Sequence, residues 1–476
     1  MLFNSIQFGA FFIVVFCLYF VLRHKFKWQN LMLLVASYIF YGSWDWRFLS
    51  LIFISTILDY FCGIKIHKST EPHIRKRFLF LSIFINLSIL GFFKYFGFFT
   101  SSLAGLFSLF GLPIQPYFLK VILPVGISFY TFQTMSYTID IYRKQMKPTS
   151  NFLDFALFVA FFPQLVAGPI ERARHLLPQI LSPRKLSLDK FYEGCYLIFW
   201  GLFLKVFVAD NLATIVDPVF TAGASYSGAH ILLALYAFAF QIFSDFAGYS
   251  TIARGLGKCM GFDIMVNFNL PYFATNPREF WQRWNISLSS WLRDYLYIPL
   301  GGNRNGIRRT CINLFITMLL GGLWHGAAWT FAIWGAFHGL LFLIYEWLRP
   351  LTTRIKFTTD FAQKVWFIMR MALFFNLIAL PTLAFRAASV TQTYNMFTSL
   401  IMNFQVPDTG LLHAVLKTVF YIGVLVTVQV FQYRKNNLMV IQKCNIWVKA
   451  IFYCICFYLL IFYGASGGQE FIYFQF

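Results

Sequence analysis

The chain has 476 residues, of which 59% are hydrophobic, 21% aromatic and only 12% charged. Soluble domains carry about 25% charged residues, so the composition excludes an ordinary soluble fold and predicts apolar surface that faces lipid. The formal net charge of +21 does not indicate a nucleic-acid partner, because the basic residues lie in short loops between apolar segments, as in cytoplasmic loops of membrane proteins. No low-complexity linker divides the chain, so we expect one all-α transmembrane domain over residues 1–476.

The first half of the chain alternates apolar segments with basic loops. Ser5 to Leu22 is long enough to cross a bilayer, and its positive charges follow it, which predicts a retained first span with the N-terminus outside. Phe152 to Val166 is apolar but has basic residues on both sides, which predicts a re-entrant segment with buried backbone. The other predicted spans are Gln29 to Ser43, Phe48 to Ile64, Phe78 to Phe93, Phe118 to Tyr137, Phe191 to Val208 and Ile231 to Phe246.

In the second half, Thr251 to Arg309 mixes tryptophan and tyrosine with arginine, which is typical of helices at the membrane interface. The first apolar segment after it is short, which predicts a broken helix before Trp324. We expect about eleven crossings and an extracytoplasmic C-terminus. The eight cysteines show no metal-ligand spacing, so we predict no metal and no structural disulfide. The late predicted spans are Ile312 to Leu319, Trp324 to Tyr345, Ala362 to Leu383, Leu411 to Val430 and Val448 to Phe462.

His325 is the strongest candidate for chemistry. Ionisable groups at membrane depth are costly and mark candidate functional sites, and His325 lies at the expected helix break between Gly322 and Gly326. An imidazole also suits general-base catalysis at neutral pH. The alternative is a buried histidine that only bonds a neighbouring helix. His338 would lie about 20 Å from His325 on an unbroken helix, so we expect a structural role for it.

Two further stretches offer groups that could stabilise a developing negative charge or bind a ligand. In the run from Pro277 to Tyr295, Asn285 could donate a hydrogen bond to a developing oxyanion; the alternative is an amphipathic interfacial helix. In the run from Pro299 to Arg309, arginines and backbone amides would suit the phosphates of a nucleotide-bearing donor. A positively charged cytoplasmic turn without a ligand explains that run equally well.

The stretch from Pro277 to Tyr297, followed by Gly322–Leu323–Trp324–His325–Gly326, resembles the membrane-bound O-acyltransferase family, and within it the bacterial branch that acetylates alginate. The resemblance implies a helical bundle with a tunnel through the membrane, a catalytic His325 and a cytoplasmic acyl-CoA or acyl-carrier donor. Relatives often have histidine where this sequence has Asn285, which leaves His325 as the base. Further agreement comes from Tyr38 to Trp46, Pro163 to Ile170 and Gln241 to Ser250.

The C-terminal run from Phe471 to Phe476 resembles a terminal aromatic motif of the same branch. The resemblance implies that Tyr473 receives the acyl group and passes it on. The alternative is an aromatic anchor at the membrane interface, which Phe471 and Tyr473 would suit without chemistry.

The resemblance implies an O-acetyltransferase in the bacterial cytoplasmic membrane, with acetyl-CoA as donor substrate and no bound cofactor. The final acceptor would be an extracytoplasmic polysaccharide resembling alginate, reached directly or through a periplasmic acetyltransferase partner of the SGNH-hydrolase type. Two alternatives are transfer of D-alanine to teichoic acid and a non-catalytic flippase or channel for lipid or polysaccharide. The expected donor contacts are Arg283, Arg304, Arg308 and Trp324.

Overall fold

The computed structural model describes residues 1–112, 122–166, 168–352, 358–405, 408–465 and 470–474. Within these residues the regular secondary structure is helical and includes no strand, which confirms the predicted all-α class. The described residues include eight helical stretches long and apolar enough to cross a membrane. The shorter apolar helix Ile6–Val21 precedes them. The chain is therefore a multi-pass membrane protein, and the predicted tunnel stays a prediction.

The chain forms two compact units, the first of which comprises Met1–Ile198 and Ile252–Met265. The expectation of a single domain over 1–476 stays a prediction. The first unit contains α1 (Ile6–Val21), α2 (Phe26–Asp45), α3 (Leu49–Lys68), α4 (Pro72–Leu90), α5 (Phe96–Leu109), α6 (Ile127–Tyr142), α7 (Phe152–Ala160), α8 (Phe162–Leu165), α9 (Ala173–Ile180) and most of α10 (Leu188–Leu202).

The second unit comprises Phe199–Thr251 and Val266–Phe476. A π-helical stretch, Phe203–Ala209, continues α10, and a 3₁₀ turn, Ile472–Phe474, lies near the C-terminus. The α-helices that follow α10 are α11 (Asp210–Phe220), α12 (Gly228–Cys259), α13 (Pro277–Arg283), α14 (Ile286–Leu292), α15 (Gly306–His325), α16 (Trp329–Thr352), α17 (Asp360–Ala379), α18 (Thr382–Arg386), α19 (Val390–Met402), α20 (Thr409–Lys435) and α21 (Ile446–Tyr463).

The segment expected to be re-entrant is a broken helix inside the first unit. The nine residues of α7 extend about 14 Å, too short for a hydrocarbon core of about 30 Å, and the helix breaks at Phe161 before α8. The side chains of Gln133 and Gln164 donate hydrogen bonds to the Phe158 carbonyl, at 2.6 and 2.8 Å. Irregular backbone at membrane depth needs such partners, so the structure agrees with the expected buried segment.

Three predicted span boundaries are wrong. The helix expected to break before Trp324 is continuous, because α15 includes Gly321 and Gly322 and ends only at His325. The span predicted to end at Phe246 continues as a helix to Cys259, and Ser250 within the added stretch is buried. In the span predicted over Phe118 to Tyr137, residues 122–126 are not helical and the helix begins at Ile127, whereas residues 118–121 lie outside the described residues.

Candidate active site

The helix break that positions His325 lies directly after this residue. His325 is the last residue of α15, and α16 begins at Trp329. A Cβ on Gly326 would lie 2.0 Å from the Phe331 ring, far below a van der Waals contact, so only glycine lets the chain reverse against that ring. Glycine after His325 therefore allows the turn between the two helices.

The two helices pack together along their length after this reversal. A Cβ on Gly322 of α15 would lie 2.3 Å from the Phe331 carbonyl oxygen, and a Cβ on Gly335 of α16 would lie 2.6 Å from the Met318 carbonyl oxygen. Small residues let helix backbones approach closely in membrane proteins. The sequence pattern of glycines thus produces a tight helical hairpin with His325 at its bend.

Aromatic rings surround His325. The imidazole centroid lies 5.1 Å from Trp324, 5.0 Å from Trp334, 5.3 Å from Phe385 and 5.5 Å from Tyr473. His325 is only 4% exposed. The local environment is therefore apolar and largely dry, which strengthens electrostatic interactions with any reacting group.

A small cavity opens beside the imidazole. Its volume is about 40 Å³, enough for a few water molecules, since one water needs at least about 10–15 Å³. Most of its lining is aromatic or aliphatic. The lining residues are Ala239, Ile242, Tyr272, Phe280, Trp284, His325, Trp334, His338, Ile378, Ala379, Thr382, Phe385 and Tyr473.

His338 lines the same cavity as His325. The expected distance of about 20 Å between the two residues assumed one unbroken helix. The helix breaks after His325 and α16 packs back along α15, so the spacing along one straight helix does not apply to His338. The Trp334 ring contacts both imidazoles, at 5.0 Å from His325 and 4.5 Å from His338. The Nδ1 atom of His338 is buried and has no hydrogen-bond partner among the described residues. Sequence spacing alone missed this second imidazole.

Asn285 lies between the short helices α13 and α14, where interfacial helices were expected, in a left-handed conformation with φ of 41°. Asparagine adopts this conformation more readily than most residues. Its Nδ2 atom is buried and finds no hydrogen-bond partner in the described part of the chain. The neighbouring Trp284 lines the His325 cavity, whereas Asn285 does not. The oxyanion role of Asn285 stays a prediction.

The candidate donor-binding residues do not all lie near His325. Trp324 contacts the His325 ring and is buried. Arg304 and Arg308 are exposed, and Arg308 lies 17 residues before His325 on α15, which is about 25 Å along the helix axis. The structure therefore separates these two arginines from the imidazole.

Arg283 lines a second, polar pocket with a volume of about 420 Å³. Its guanidinium forms an ion pair with Glu279 at 2.9 Å and donates to the Asn269 carbonyl at 3.2 Å. Carboxamides form much of the remaining lining. The lining residues are Asn269, Leu270, Arg283, Gln432, Tyr433, Asn436, Asn437 and Leu438.

Tyr473 lies against His325 although the two residues are far apart in the chain. Its ring also packs on Phe246, at a centroid distance of 4.6 Å. Burial, and secondarily the Asp245 carboxylate, raise the pKa of the Tyr473 hydroxyl well above its ordinary value. The phenol is consequently protonated at neutral pH and needs a base to become a nucleophile. The sequence motif indicated Tyr473 but could not show that it meets the imidazole.

Comparison with known proteins identifies the class. Residues 138–382 match the model of the membrane-bound O-acyltransferase family. The probable alginate O-acetylase AlgI of Azotobacter vinelandii is 44% identical over 79% of this chain and 73% of its own length. The peptidoglycan O-acetyltransferase of Helicobacter pylori is 33% identical over 100% of this chain and 98% of its own. A teichoic acid D-alanyltransferase of Streptococcus thermophilus is 31% identical over 48% of this chain and 58% of its own.

The chain belongs to the membrane-bound O-acyltransferase family, and it is an acyltransferase. The family and the enzyme class predicted from the sequence are thereby confirmed.

Proposed function

We propose that this enzyme moves acetyl from cytoplasmic acetyl-CoA toward an extracytoplasmic polysaccharide. The observation that carries the proposal is that His325 and Tyr473 line one small cavity with their rings in contact. The relatives that match most of the chain are named for alginate and for peptidoglycan, both of which contain polysaccharide. A polymer of this chemical class, resembling alginate, is the proposed final acceptor.

The size of the cavity favours a short acyl group. A volume of about 40 Å³ matches a few water-sized groups, and acetyl has three non-hydrogen atoms. A longer chain would have to displace close-packed rings such as Trp334 and Phe385, which line the same space. Acetyl therefore fits without rearrangement.

In the proposed reaction, His325 takes the proton from the Tyr473 hydroxyl while the phenolic oxygen attacks the thioester carbonyl. The carbon–sulfur bond breaks, the thiolate of CoA leaves, and the imidazolium returns the proton to it. The product is an acetyl ester on Tyr473. An acceptor hydroxyl, or the serine of a periplasmic SGNH-hydrolase-like partner, then attacks this ester and restores the phenol.

The tetrahedral intermediate carries a negative oxygen that needs a hydrogen-bond donor. We assign this role to the Nδ2 atom of Asn285 or to a backbone amide. Asn285 is suited to it because its Nδ2 has no partner among the described residues and because it adjoins the cavity-lining Trp284. A preorganised donor of this kind contributes about 10²–10³-fold to the rate in other enzymes.

The polar pocket around Arg283 is the proposed site for the nucleotide part of the donor. Its volume of about 420 Å³ falls within the range of ligand pockets, and a guanidinium pairs well with phosphate. Arg304 and Arg308 would attract the anionic donor from the exposed face, and Trp324 would orient the thioester arm. In this proposal the donor binds at the cytoplasmic face of the bacterial inner membrane. The N-terminus and the C-terminus lie on the extracytoplasmic side.

The test uses purified full-length protein and radiolabelled acetyl-CoA, with and without polysaccharide. Wild-type protein should become labelled at Tyr473 and pass the label to the acceptor. His325→Ala should lower the transfer rate by at least about 100-fold, the usual contribution of a general base. The matched control is His413→Ala, since His413 is exposed and outside the cavity; its rate should match wild type.

The alternatives give different outcomes in the same assay. If labelled D-alanyl carrier protein reacts and acetyl-CoA does not, the acetyl assignment is wrong and D-alanyl transfer is favoured. A folded His325→Ala protein that transfers acetyl at the wild-type rate would remove the imidazole from the mechanism.

A further inference from the structure

A buried cluster of charges in the second unit holds the C-terminal segment. The Lys205 ammonium forms ion pairs with Asp210 at 2.8 Å and with Asp245 at 2.7 Å. The Lys205 side chain is 1% exposed, and the side chains of Asp210 and Asp245 are each 2% exposed. Lys205 belongs to the π-helical stretch after α10, Asp210 begins α11, and Asp245 lies in α12. Three consecutive helical stretches thus supply one charge each.

The cluster is bonded directly to the chain next to Tyr473. The Asp245 Oδ2 atom accepts a hydrogen bond from the Ile472 backbone N–H at 2.6 Å. The Lys205 ammonium donates to the Glu470 carbonyl at 3.4 Å. Both bonds go to the main chain of the C-terminal segment, so they fix its position whatever side chains it carries.

The aromatic side chains on either side of this anchor are packed against α12. Phe471 is fully buried and lies 4.7 Å from the Tyr249 ring and 5.6 Å from the Phe246 ring, measured between centroids. Tyr473 lies 4.6 Å from Phe246. With the Ile472 amide anchored between these two packed rings, the Tyr473 ring lies against His325, at a centroid distance of 5.5 Å.

The free-energy cost of burying these charged groups indicates that the cluster has a functional role. Ionised groups at membrane depth are expensive and face the interior of the bundle when they occur. A buried ion pair often contributes little net stability compared with apolar residues of similar size, but it can fix one arrangement over its alternatives. Here the arrangement that is fixed is the path of the C-terminal segment.

We propose that Lys205, Asp210 and Asp245 form a positioning cluster that seats residues 470–473, so that the Tyr473 hydroxyl is held in the His325 cavity. None of the three residues lines that cavity, so they act through the segment they hold. The consequence of this seating for acyl transfer rests on the proposed function, whereas the seating itself does not.

The anchoring is tested by hydrogen exchange of the C-terminal peptide in detergent-solubilised full-length protein, read by mass spectrometry. The Ile472 amide should be protected in wild type, and Asp245→Ala should speed its exchange by about tenfold or more, because the segment opens locally. Asp245→Asn should give an intermediate rate, since its carboxamide oxygen still accepts from Ile472. The matched control is Asp360→Ala, which removes a carboxylate from an exposed pair with Lys364 and should leave the exchange unchanged.

A second control separates anchoring from chemistry. Tyr473→Phe keeps the Ile472 amide and the aromatic packing, so its C-terminal peptide should exchange at the wild-type rate. The transfer assay should show a lower kcat for Asp245→Ala with an unchanged KM for acetyl-CoA, because the Arg283 pocket is untouched. A general loss of packing would instead lower the thermal midpoint and change both constants.

Two results would overturn the proposal. The anchoring is wrong if folded Asp245→Ala protein exchanges its C-terminal peptide at the wild-type rate. The positioning role is wrong if exchange accelerates while kcat stays at the wild-type value. Because the exchange measurement needs no acyl transfer, it decides the anchoring even for a wild-type protein that proved inactive with acetyl-CoA.

Discussion

Two pockets of the second unit differ in size and chemistry. The cavity beside His325 is about 40 Å³ and mostly aromatic, whereas the pocket beside Arg283 is about 420 Å³ and lined by carboxamides and a guanidinium. Neighbouring residues divide between them: Trp284 lines the first and Arg283 the second. A short stretch of chain thus contributes to the proposed reaction site, which is mostly apolar, and to the proposed donor site, which is polar.

This difference predicts separable kinetic effects. An interaction made only in the transition state affects kcat, whereas one made equally with bound substrate affects KM. Substitutions in the His325 cavity should therefore lower kcat, and substitutions in the Arg283 pocket should raise the KM for the donor. Four sets of variants test this division, in order of decreasing effect.

Tyr473→Phe should have the largest effect of the four. Phenylalanine keeps the ring contacts with His325 and Phe246 but has no oxygen to carry the acyl group. Covalent labelling should disappear and kcat should fall by about 100-fold or more, in line with the loss of covalent and acid–base catalysis. Tyr394→Phe is the matched control, because Tyr394 is exposed and lies outside the cavity. Wild-type turnover in Tyr473→Phe would mean that the acceptor meets the donor directly.

Arg283→Gln should raise the KM for acetyl-CoA by about tenfold, because a charge-assisted hydrogen bond contributes about 1.5–3 kcal/mol. Arg283→Lys keeps the charge but not the fork geometry, so it should recover part of the affinity. The control is Arg293→Gln, since Arg293 is exposed and pairs with Asp294. A fall in kcat with unchanged KM for Arg283→Gln would contradict the separation of the two pockets.

We propose that His338, which lines the cavity and whose Nδ1 atom has no partner among the described residues, bonds the substrate. His338→Phe should therefore lower kcat by about three- to tenfold, the contribution of one neutral hydrogen bond. The same variant should unfold at an equal or higher temperature, because it removes a buried Nδ1 atom that has no partner in the described residues. A purely structural histidine would give the opposite pair of results, with lower thermal stability and unchanged kcat.

Arg304→Gln and Arg308→Gln should have the smallest effect. Both arginines are exposed and act on the donor only through screened charge, so the KM should rise about twofold at low ionic strength and return to the wild-type value at about 1 M salt. An effect that persists in high salt would show direct contact with phosphate and would extend the donor site to this loop.

The sequence predicted the parts of the site that depend on local pattern. The helix break at His325 follows from glycines around an imidazole, and the short helices near Asn285 follow from aromatic and arginine spacing. The exact break was misplaced, because Gly321 and Gly322 weaken a hydropathy pattern yet fit inside α15, where Gly321 lies beside Leu292 of α14 and Gly322 packs against α16. Local propensity is a weak guide where close packing compensates for it.

The sequence did not predict the neighbours of His325. His338 reaches the cavity only because α15 and α16 form a hairpin, which depends on the close approach of Gly322 and Gly335. Lys205 and Asp245 could have been noticed as ionisable residues inside apolar spans. Their attachment to the C-terminal segment has no local signal, since it joins residues that are far apart in the chain.

The amino-acid sequence by itself determined that this protein crosses a membrane as helices, that it belongs to an acyltransferase family and that His325 is its candidate base. These conclusions rest on composition, hydrophobic runs and motifs, which are properties of short stretches of chain. Only the tertiary structure decided that Tyr473 and His338 share a cavity with His325 and that buried charges hold the C-terminal segment. Such contacts depend on long-range packing, in which backbone approach and buried polar bonds select one arrangement among many with the same local pattern.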